Sequence, residues 1–195
     1  MSKVVILIDG GYYDAINGWI KGKTGRKLDV EKLSRRICGG NELIRTKFYH
    51  ANPYQSQQPS PEEQNAFQGS QRFQYAINRI PKHEFVSVGR VRQEAFNCTQ
   101  CGKRYFIPKQ KGVDVAISLD LVKMARKRVA DMFAFVTGDE DFSSAVEMAQ
   151  EELCNVMVYY IHDPAGGIHC SIELRNAASD RFQMDQMFLS GCLKD

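Results

Sequence analysis

The pattern of apolar and polar residues along the chain predicts strands that alternate with helices. A continuous apolar run at residues 3–9, ending in Asp-Gly-Gly, is typical of a strand that is buried on both faces of a parallel sheet. Further apolar or alternating segments predict strands at 43–51, 85–92, 132–137, 156–161 and 181–184. The alternation predicts an α/β fold of three layers, Rossmann-like, around a central and mainly parallel sheet.

The segments between these strands carry signals for helices. Asp29 can cap a helix that ends before Gly39, and Ser60-Pro61 opens a helix of about twenty residues. Four more helices are predicted at 14–19, 113–128, 142–153 and 171–178. No repeat or low-complexity segment divides the chain, so we expect one domain over residues 1–195, with a small hairpin insertion at 94–110.

The composition is that of a chain that can bury a core, because 43% of its 195 residues are hydrophobic. The apolar run near the N-terminus is too short for a signal peptide or a spanning helix. We therefore expect a soluble, cytoplasmic protein with no membrane partner. The six cysteines are mostly scattered singly, which fits a reduced protein better than a disulfide framework.

The net charge of +3 conceals a segregation of charge along the chain. Residues 90–128 carry 10 basic and 3 acidic side chains, whereas residues 129–195 carry 3 basic and 12 acidic ones. This asymmetry favours a polyanionic partner near the middle segment. Chance clustering of surface charge is the alternative.

Carboxylates stand where two predicted strands end. Asp9 ends the first strand, and Asp139 with Asp141 follows the strand at 132–137. Because the carboxyl ends of parallel strands line the functional crevice of an open α/β sheet, these acids are expected at one edge. Asp114 begins a helix, where it could join them or act only as an acid favoured by the helix dipole.

A cluster of acids needs a cation, since like-charged carboxylates otherwise raise one another's pKa. Mg²⁺ and Mn²⁺ prefer oxygen ligands, and such ions can activate water against a phosphodiester. The acids therefore predict metal-assisted hydrolysis. Asp120 lies about 120° around the helix from Asp114, so we expect it beside the site or in a surface salt bridge.

Three motifs resemble those of a known family. IDGGY at 8–12, KGVDVAISLDL at 111–121 and TGDEDF at 137–142 are similar, in order and spacing, to the NYN domain, a branch of the PIN-like ribonucleases that includes LabA-like proteins. The resemblance covers residues 3 to 188. It implies a PIN-like fold and a Mg²⁺- or Mn²⁺-dependent endoribonuclease.

The resemblance also implies roles for individual residues. Asp9, Asp114 and Asp139 match the family's metal-binding acids, and Asp141 takes the accompanying acidic position in the catalytic set. Tyr12 departs from many members of the family, which carry Asn three residues after the first Asp, and this departure puts full activity in doubt. Tyr12, Ser118 and Asp120 are expected around the metal ligands without contacting the ion.

Cys98 and Cys101 form a CxxC followed by glycine, as in a zinc knuckle. A structural zinc site needs four ligands, and this motif supplies two. His162, His169 and Cys170 could complete the site, or the same pair from a second subunit in a homodimer could do so. A reduced hairpin without metal is the alternative.

A basic strip leads along the chain into Asp114. Its members are Arg90, Arg92, Lys103, Arg104, Lys109 and Lys111, with Tyr105 and Phe106 between them. Basic side chains interleaved with aromatic ones suit phosphate attraction and base stacking on a single strand. With the resemblance, this pattern predicts single-stranded RNA as the partner, although Lys111 could equally be an exposed loop lysine.

Two functions of different classes remain open. The first is an endoribonuclease in which a carboxylate-bound divalent ion activates water. The second is a non-catalytic module that binds RNA or nucleotides and keeps the fold. A phosphotransferase with Asp9 as the nucleophile is disfavoured, because the second Asp expected two residues later is Gly11.

Overall fold

The computed structural model describes all 195 residues, apart from the side chain of Pro108. Its helices and strands follow in the order β1 (Lys3–Asp9), α1 (Gly10–Thr24), α2 (Val30–Cys38), β2 (Glu42–His50), α3 (Pro61–Asn78), β3 (His83–Ser87), β4 (Arg90–Asn97), β5 (Arg104–Lys111), α4 (Val113–Arg126), β6 (Met132–Val136), α5 (Ser143–Glu151), β7 (Asn155–Tyr160), α6 (Ile172–Ala177), β8 (Asp180–Gln183) and α7 (Gln186–Ser190). Short 3-10 turns lie at Glu140–Phe142 and Pro164–Gly166.

Six of the strands form one sheet in the order β3-β2-β1-β6-β7-β8, and every pairing in it is parallel. The chain leaves β1 towards β2 on one side and later returns to β6 on the other. The strand order therefore reverses between β1 and β6, where ligands of open α/β sheets bind. The predicted α/β fold with a mainly parallel sheet is confirmed.

Strand β1 shows why the fold has three layers. Its side chains alternate between the two faces of the sheet. Val4, Ile6 and Ile8 pack into the core beneath α1 and α2, whereas Val5 and Leu7 pack into a second core beneath α4 and α5. Because both faces are buried, the strand is apolar throughout rather than alternating.

The prediction of a single strand at 85–92 is wrong, because the chain turns out of the sheet at Gly89. β3 ends at Ser87, and β4 begins at Arg90 as part of a separate two-stranded hairpin with β5. Gly89 has φ of +73°, and a Cβ there would clash with the carbonyl oxygen of Lys111. The hairpin strands span Arg90–Asn97 and Arg104–Lys111, which is longer than the 94–110 insertion predicted from sequence.

The helix ends differ from the predicted ones where a cap or a short element was missed. Helix α1 begins at Gly10, four residues before the predicted start, because Asp9 caps it. Helix α7 was not predicted, since its five residues are too few for a periodic pattern. No helix in the described part of the chain is long and apolar enough to cross a membrane.

Candidate functional site

Asp9 lies at the end of β1, and three hydrogen bonds hold its carboxylate in place. Its Oδ1 accepts hydrogen bonds from the backbone nitrogens of Gly11 (3.0 Å) and Tyr12 (3.4 Å), and its Oδ2 accepts one from Thr137 Oγ1 (3.2 Å). Burial raises the pKa of Asp9 and the charge of Asp114 raises it further, while these hydrogen bonds lower it. The carboxylate is thus fixed in position, although burial and the charge of Asp114 disfavour its ionised form.

Asp139 lies at the end of β6, on the same edge of the sheet. Its Oδ1 accepts a hydrogen bond from the backbone nitrogen of Asp141 at 3.1 Å, and its own nitrogen donates to Thr137 Oγ1 at 3.4 Å. The buried hydroxyl of Thr137 therefore links the two strand ends that carry Asp9 and Asp139. The sequence analysis missed Thr137, although its place directly before Gly-Asp in the TGDEDF motif was a signal.

Asp114 stands in the first turn of α4 and faces the same edge. Partial burial raises the pKa of Asp114, and the charges of Asp139 and Asp141 raise it further. Every neighbouring charge that shifts the pKa of Asp9 or Asp114 belongs to another carboxylate. The four acids named from sequence therefore share one negative region at the point where the strand order reverses.

The donor set fits a hard divalent cation in its chemistry. Carboxylate oxygens with uncompensated negative charge suit Mg²⁺ or Mn²⁺ rather than a soft metal. Within the described residues, however, no three His, Cys, Asp or Glu side chains are arranged as a ligand group. The predicted trio of Asp9, Asp114 and Asp139 lies in one region without forming a coordination shell.

Tyr12 of α1 packs beside the site and forms hydrogen bonds with a distant segment of the chain. Its hydroxyl donates to the carbonyl oxygen of Ile161 at 3.0 Å and accepts from the nitrogen of Ile161 at 2.9 Å. Its ring covers Gly138, where a Cβ would lie 2.7 Å from Cε2 of the ring. Burial raises the pKa of the Tyr12 phenol, which keeps it protonated. Tyr12 thus joins α1 to Ile161 through hydrogen bonds that Asn is too short to make, and its ring lies against Gly138 beside Asp139.

Asp120 and Ser118 do not join the carboxylates. Asp120 forms a salt bridge with Lys47 and accepts a hydrogen bond from the Tyr49 hydroxyl at 2.9 Å. Burial raises the pKa of Asp120, but the bonds to Lys47 and Tyr49 outweigh burial and hold this pKa below its ordinary value. Of its two predicted placements, the salt bridge is the observed one. Ser118 is half-buried one turn beyond Asp114, and no described hydrogen bond connects it to the acids.

The β4–β5 hairpin divides the predicted basic strip between two faces. Arg90 pairs with Lys111 and Arg92 with Lys109, so these four side chains share one face of the hairpin. Phe96 and Tyr105 stack farther along the same face, with ring centroids 6.0 Å apart. Glu94 lies among the four cations and forms salt bridges with Lys111 and Lys109.

The other basic residues of the strip lie elsewhere on the hairpin. The guanidinium of Arg104 lies over the ring of Phe106 at 5.4 Å, on the opposite face. Lys103 belongs to the turn between the strands. That opposite face also carries Val91, Gln93 and Gln110, which line a cavity of about 520 Å³. Only four of the six basic residues therefore form one surface.

A cavity beside Asp139 brings in residues that the motifs do not contain. It measures about 540 Å³, and Asp139, His162, His169 and Arg175 line it with Cys170. The buried Nδ1 of His162 has no hydrogen-bond partner among the described residues. Sequence reasoning considered the two histidines only as zinc ligands. The sequence did offer a signal for His162, because this residue follows β7 and so lies at the same edge of the sheet.

Cys98 and Cys101 lie at the turn of the hairpin, and all six cysteines are free thiols. His162, His169 and Cys170 line the cavity beside Asp139, and the described residues provide no third His, Cys, Asp or Glu that groups with the CxxC pair. The predicted completion of a zinc site within one chain is therefore not found.

Comparisons with known proteins agree with this architecture. The crystal structure of a protein of unknown function from Vibrio parahaemolyticus is similar over 99% of this chain and 96% of that one, with a TM-score of 0.60 and 20% identity, which supports the fold alone. The uncharacterized protein y4oD of Sinorhizobium fredii is 37% identical over 79 residues, which are 40% of this chain and 36% of that protein. The NYN domain family matches residues 3–185. Because that match spans nearly the whole chain, the protein belongs to the NYN domain family, within the PIN-like nuclease superfamily.

Proposed function

We propose that the protein is a metal-dependent endoribonuclease that hydrolyses RNA phosphodiester bonds at the edge carrying Asp9, Asp114, Asp139 and Asp141. The observation that supports this most directly is the meeting of these four acids where the strand order reverses. A protein that only bound a polyanion would gain nothing from such a cluster, since carboxylates repel phosphate. Membership of the NYN family supports a nuclease in general terms.

Asp9, Asp114 and Asp139 would hold Mg²⁺ or Mn²⁺, with Asp141 beside them. A bound divalent ion of this kind lowers the pKa of a water molecule and neutralises charge on a phosphodiester. The chain's own contribution is positioning. Asp9 is held by two backbone N–H groups and by Thr137, while Asp139 and Asp141 lie towards solvent, where their side chains can adjust around a substrate.

The hairpin face would guide the RNA towards this edge. Arg90, Arg92, Lys109 and Lys111 offer cations for phosphates, and the stacked pair of Phe96 and Tyr105 offers rings for unpaired bases. β5 leads through Gly112 directly into α4, which carries Asp114. This continuity favours a single strand that runs from the hairpin to the acids.

The second candidate is an RNA- or nucleotide-binding module without catalysis. Two observations favour it. The described acids form no ligand group, and both oxygens of Asp9 already accept hydrogen bonds. In that case the hairpin face would carry the whole function.

The experiment is cleavage of labelled single-stranded RNA in Mn²⁺ or Mg²⁺ by the wild type, Asp9→Asn and Asp139→Asn. Asn is itself a good helix cap, so Asp9→Asn removes the charge while preserving the start of α1. Asp120→Asn is the matched control, because it removes a carboxylate that is paired with Lys47 away from the site.

We expect cleavage by the wild type and by Asp120→Asn, and loss of cleavage in the other two variants. The loss should exceed the roughly 10–100-fold effect typical of residues that only support a metal ligand. Equal cleavage by all four proteins would remove the proposed site. RNA binding by a folded wild type that cleaves nothing in either metal would establish the second candidate.

A further inference from the structure

The end of the β4–β5 hairpin lies outside the core of the protein. β4 and β5 form their own two-stranded sheet, separate from the six-stranded one. Every described residue from Ala95 to Ile107 is exposed except Cys98, which is half-exposed. A two-stranded hairpin alone is marginally stable in water. This end of the hairpin, residues 95–107, which we call the hairpin tip, is therefore packed into neither core of the protein.

The turn at the hairpin tip, which contains Cys98 and Cys101, is closed by backbone hydrogen bonds. The nitrogen of Cys98 donates to the carbonyl oxygen of Lys103 (2.9 Å), and the nitrogen of Gly102 donates to the carbonyl oxygen of Cys98 (2.8 Å). Gly102 has φ of +68°, a left-handed conformation that closes the turn. The C-x2-C spacing within this turn is that of two ligands to one zinc ion.

Two thiolates are half of a tetrahedral zinc site. The other cysteines cannot supply the remainder, because Cys38, Cys154, Cys170 and Cys192 are buried in the body of the protein. No third ligand accompanies Cys98 and Cys101 among the described residues. A tetrahedral zinc site here would therefore take its other two ligands from outside the chain, and the tip of a second copy offers an identical pair.

We propose that two copies of the chain join through their hairpin tips around one Zn²⁺, to which each copy contributes Cys98 and Cys101. A twofold axis through the metal makes the contact self-complementary, so that it closes as a dimer. Four thiolates around Zn²⁺ leave a net charge of −2. Lys103 and Arg104 follow Cys101 after Gly102 in each copy and supply compensating positive charge.

The proposal is tested by native mass spectrometry and light scattering on reduced full-length protein purified with zinc. We expect a dimer that contains about half a zinc ion per chain, as two ligands from each copy require. The double variant Cys98→Ser/Cys101→Ser should be a zinc-free monomer with an unchanged circular dichroism spectrum. Thr99→Ser, which alters the same turn without touching a ligand, should remain a zinc-bound dimer.

Removal of the metal should separate the copies, because the proposed contact is made through the four Zn–S bonds. A zinc chelator should convert the wild type to monomer, and added Zn²⁺ should restore the dimer. A reduced, folded wild type that stays monomeric and zinc-free would overturn the proposal. So would one zinc ion per chain, or a dimer that persists in the double cysteine variant. None of these measurements depends on nuclease activity.

Discussion

The carboxylate edge and the β4–β5 hairpin are built in opposite ways. At the edge, buried residues that lie far apart in sequence are joined by hydrogen bonds, as Thr137 is to Asp9. On the hairpin, the functional side chains come from two neighbouring strands and are mostly exposed. The edge can therefore hold charges in a fixed and unfavourable arrangement, whereas the hairpin offers an adaptable surface. Substitutions that break buried contacts at the edge should cost stability and activity together, and those of exposed side chains on the hairpin should mainly change binding.

The largest difference is expected between two glycines, Gly138 at the edge and Gly102 at the hairpin tip. In Gly138→Ala the new Cβ would collide with the carbonyl oxygen of His169 and the ring of Tyr12. We expect the free energy of unfolding to fall by about 3 kcal/mol, near the upper range for overpacking. Gly102→Ala has open space and should cost about 1 kcal/mol for its left-handed φ. Urea denaturation of both variants measures this, and equal losses would contradict the comparison.

Thr137→Val tests whether a hydroxyl couples the two strand ends. Valine keeps the shape but leaves Asp9 Oδ2 and the nitrogen of Asp139 without their partner. We expect a loss of about 1–3 kcal/mol in stability and a 10–100-fold loss of RNA cleavage, as is typical of supporting residues. Thr137→Ser is the control, because it retains the hydroxyl and should keep most of the activity. Full activity in Thr137→Val would show that the link is dispensable.

Arg92→Ala/Lys109→Ala tests the hairpin as a phosphate-binding surface. We expect weaker RNA binding and a slope of log affinity against log salt that is shallower by about 1.4, since each lost phosphate contact on a single strand contributes about 0.7. The unfolding free energy should change little, because both side chains are exposed. Glu94→Gln removes the acid among these cations and should strengthen binding. An unchanged salt slope in the double variant would place the RNA elsewhere.

The smallest effect is expected at His50, whose Nε2 lies 3.0 Å from Asp14 Oδ2. The hydrogen bond to Asp14 raises the pKa of His50, against the opposing effect of burial. Since the folded pKa lies above the unfolded value of about 6.5, the pair stabilises the protein fully below that pH and loses its effect as pH rises through the folded pKa. Asp14→Asn should therefore cost up to about 1 kcal/mol at pH 5.5 and almost nothing at pH 8.5. An equal cost at both pH values would refute the linkage.

The fold and the acids could be predicted largely from sequence because their signals are local. The apolar run of β1 and its terminal Asp9 are adjacent in the chain, and parallel strands end at a common edge. The single strand predicted at 85–92 failed for a physical reason. Its alternation of side chains continues across Gly89, but the positive φ of that residue redirects the backbone out of the sheet.

The site could be predicted only in part, because several of its contacts join distant segments. The helical period already places Asp120 away from Asp114, but only the structure shows that its partners are Lys47 and Tyr49 of β2. Tyr12 appeared as a departure from the family, and only the position of Ile161 explains what its hydroxyl does. The catalytic and metal-binding roles of the acids stay predictions that the cleavage experiment tests.

By itself, the sequence determined most of the strands and helices, which acids stand at strand ends, and that two cysteines occupy one turn. Each of these depends on residues close together in the chain. The tertiary structure alone decided that Thr137 connects Asp9 to Asp139, and that four of the six basic residues share a face. The physical reason is that strand order and pairing register, which local patterns leave open, determine which distant side chains meet.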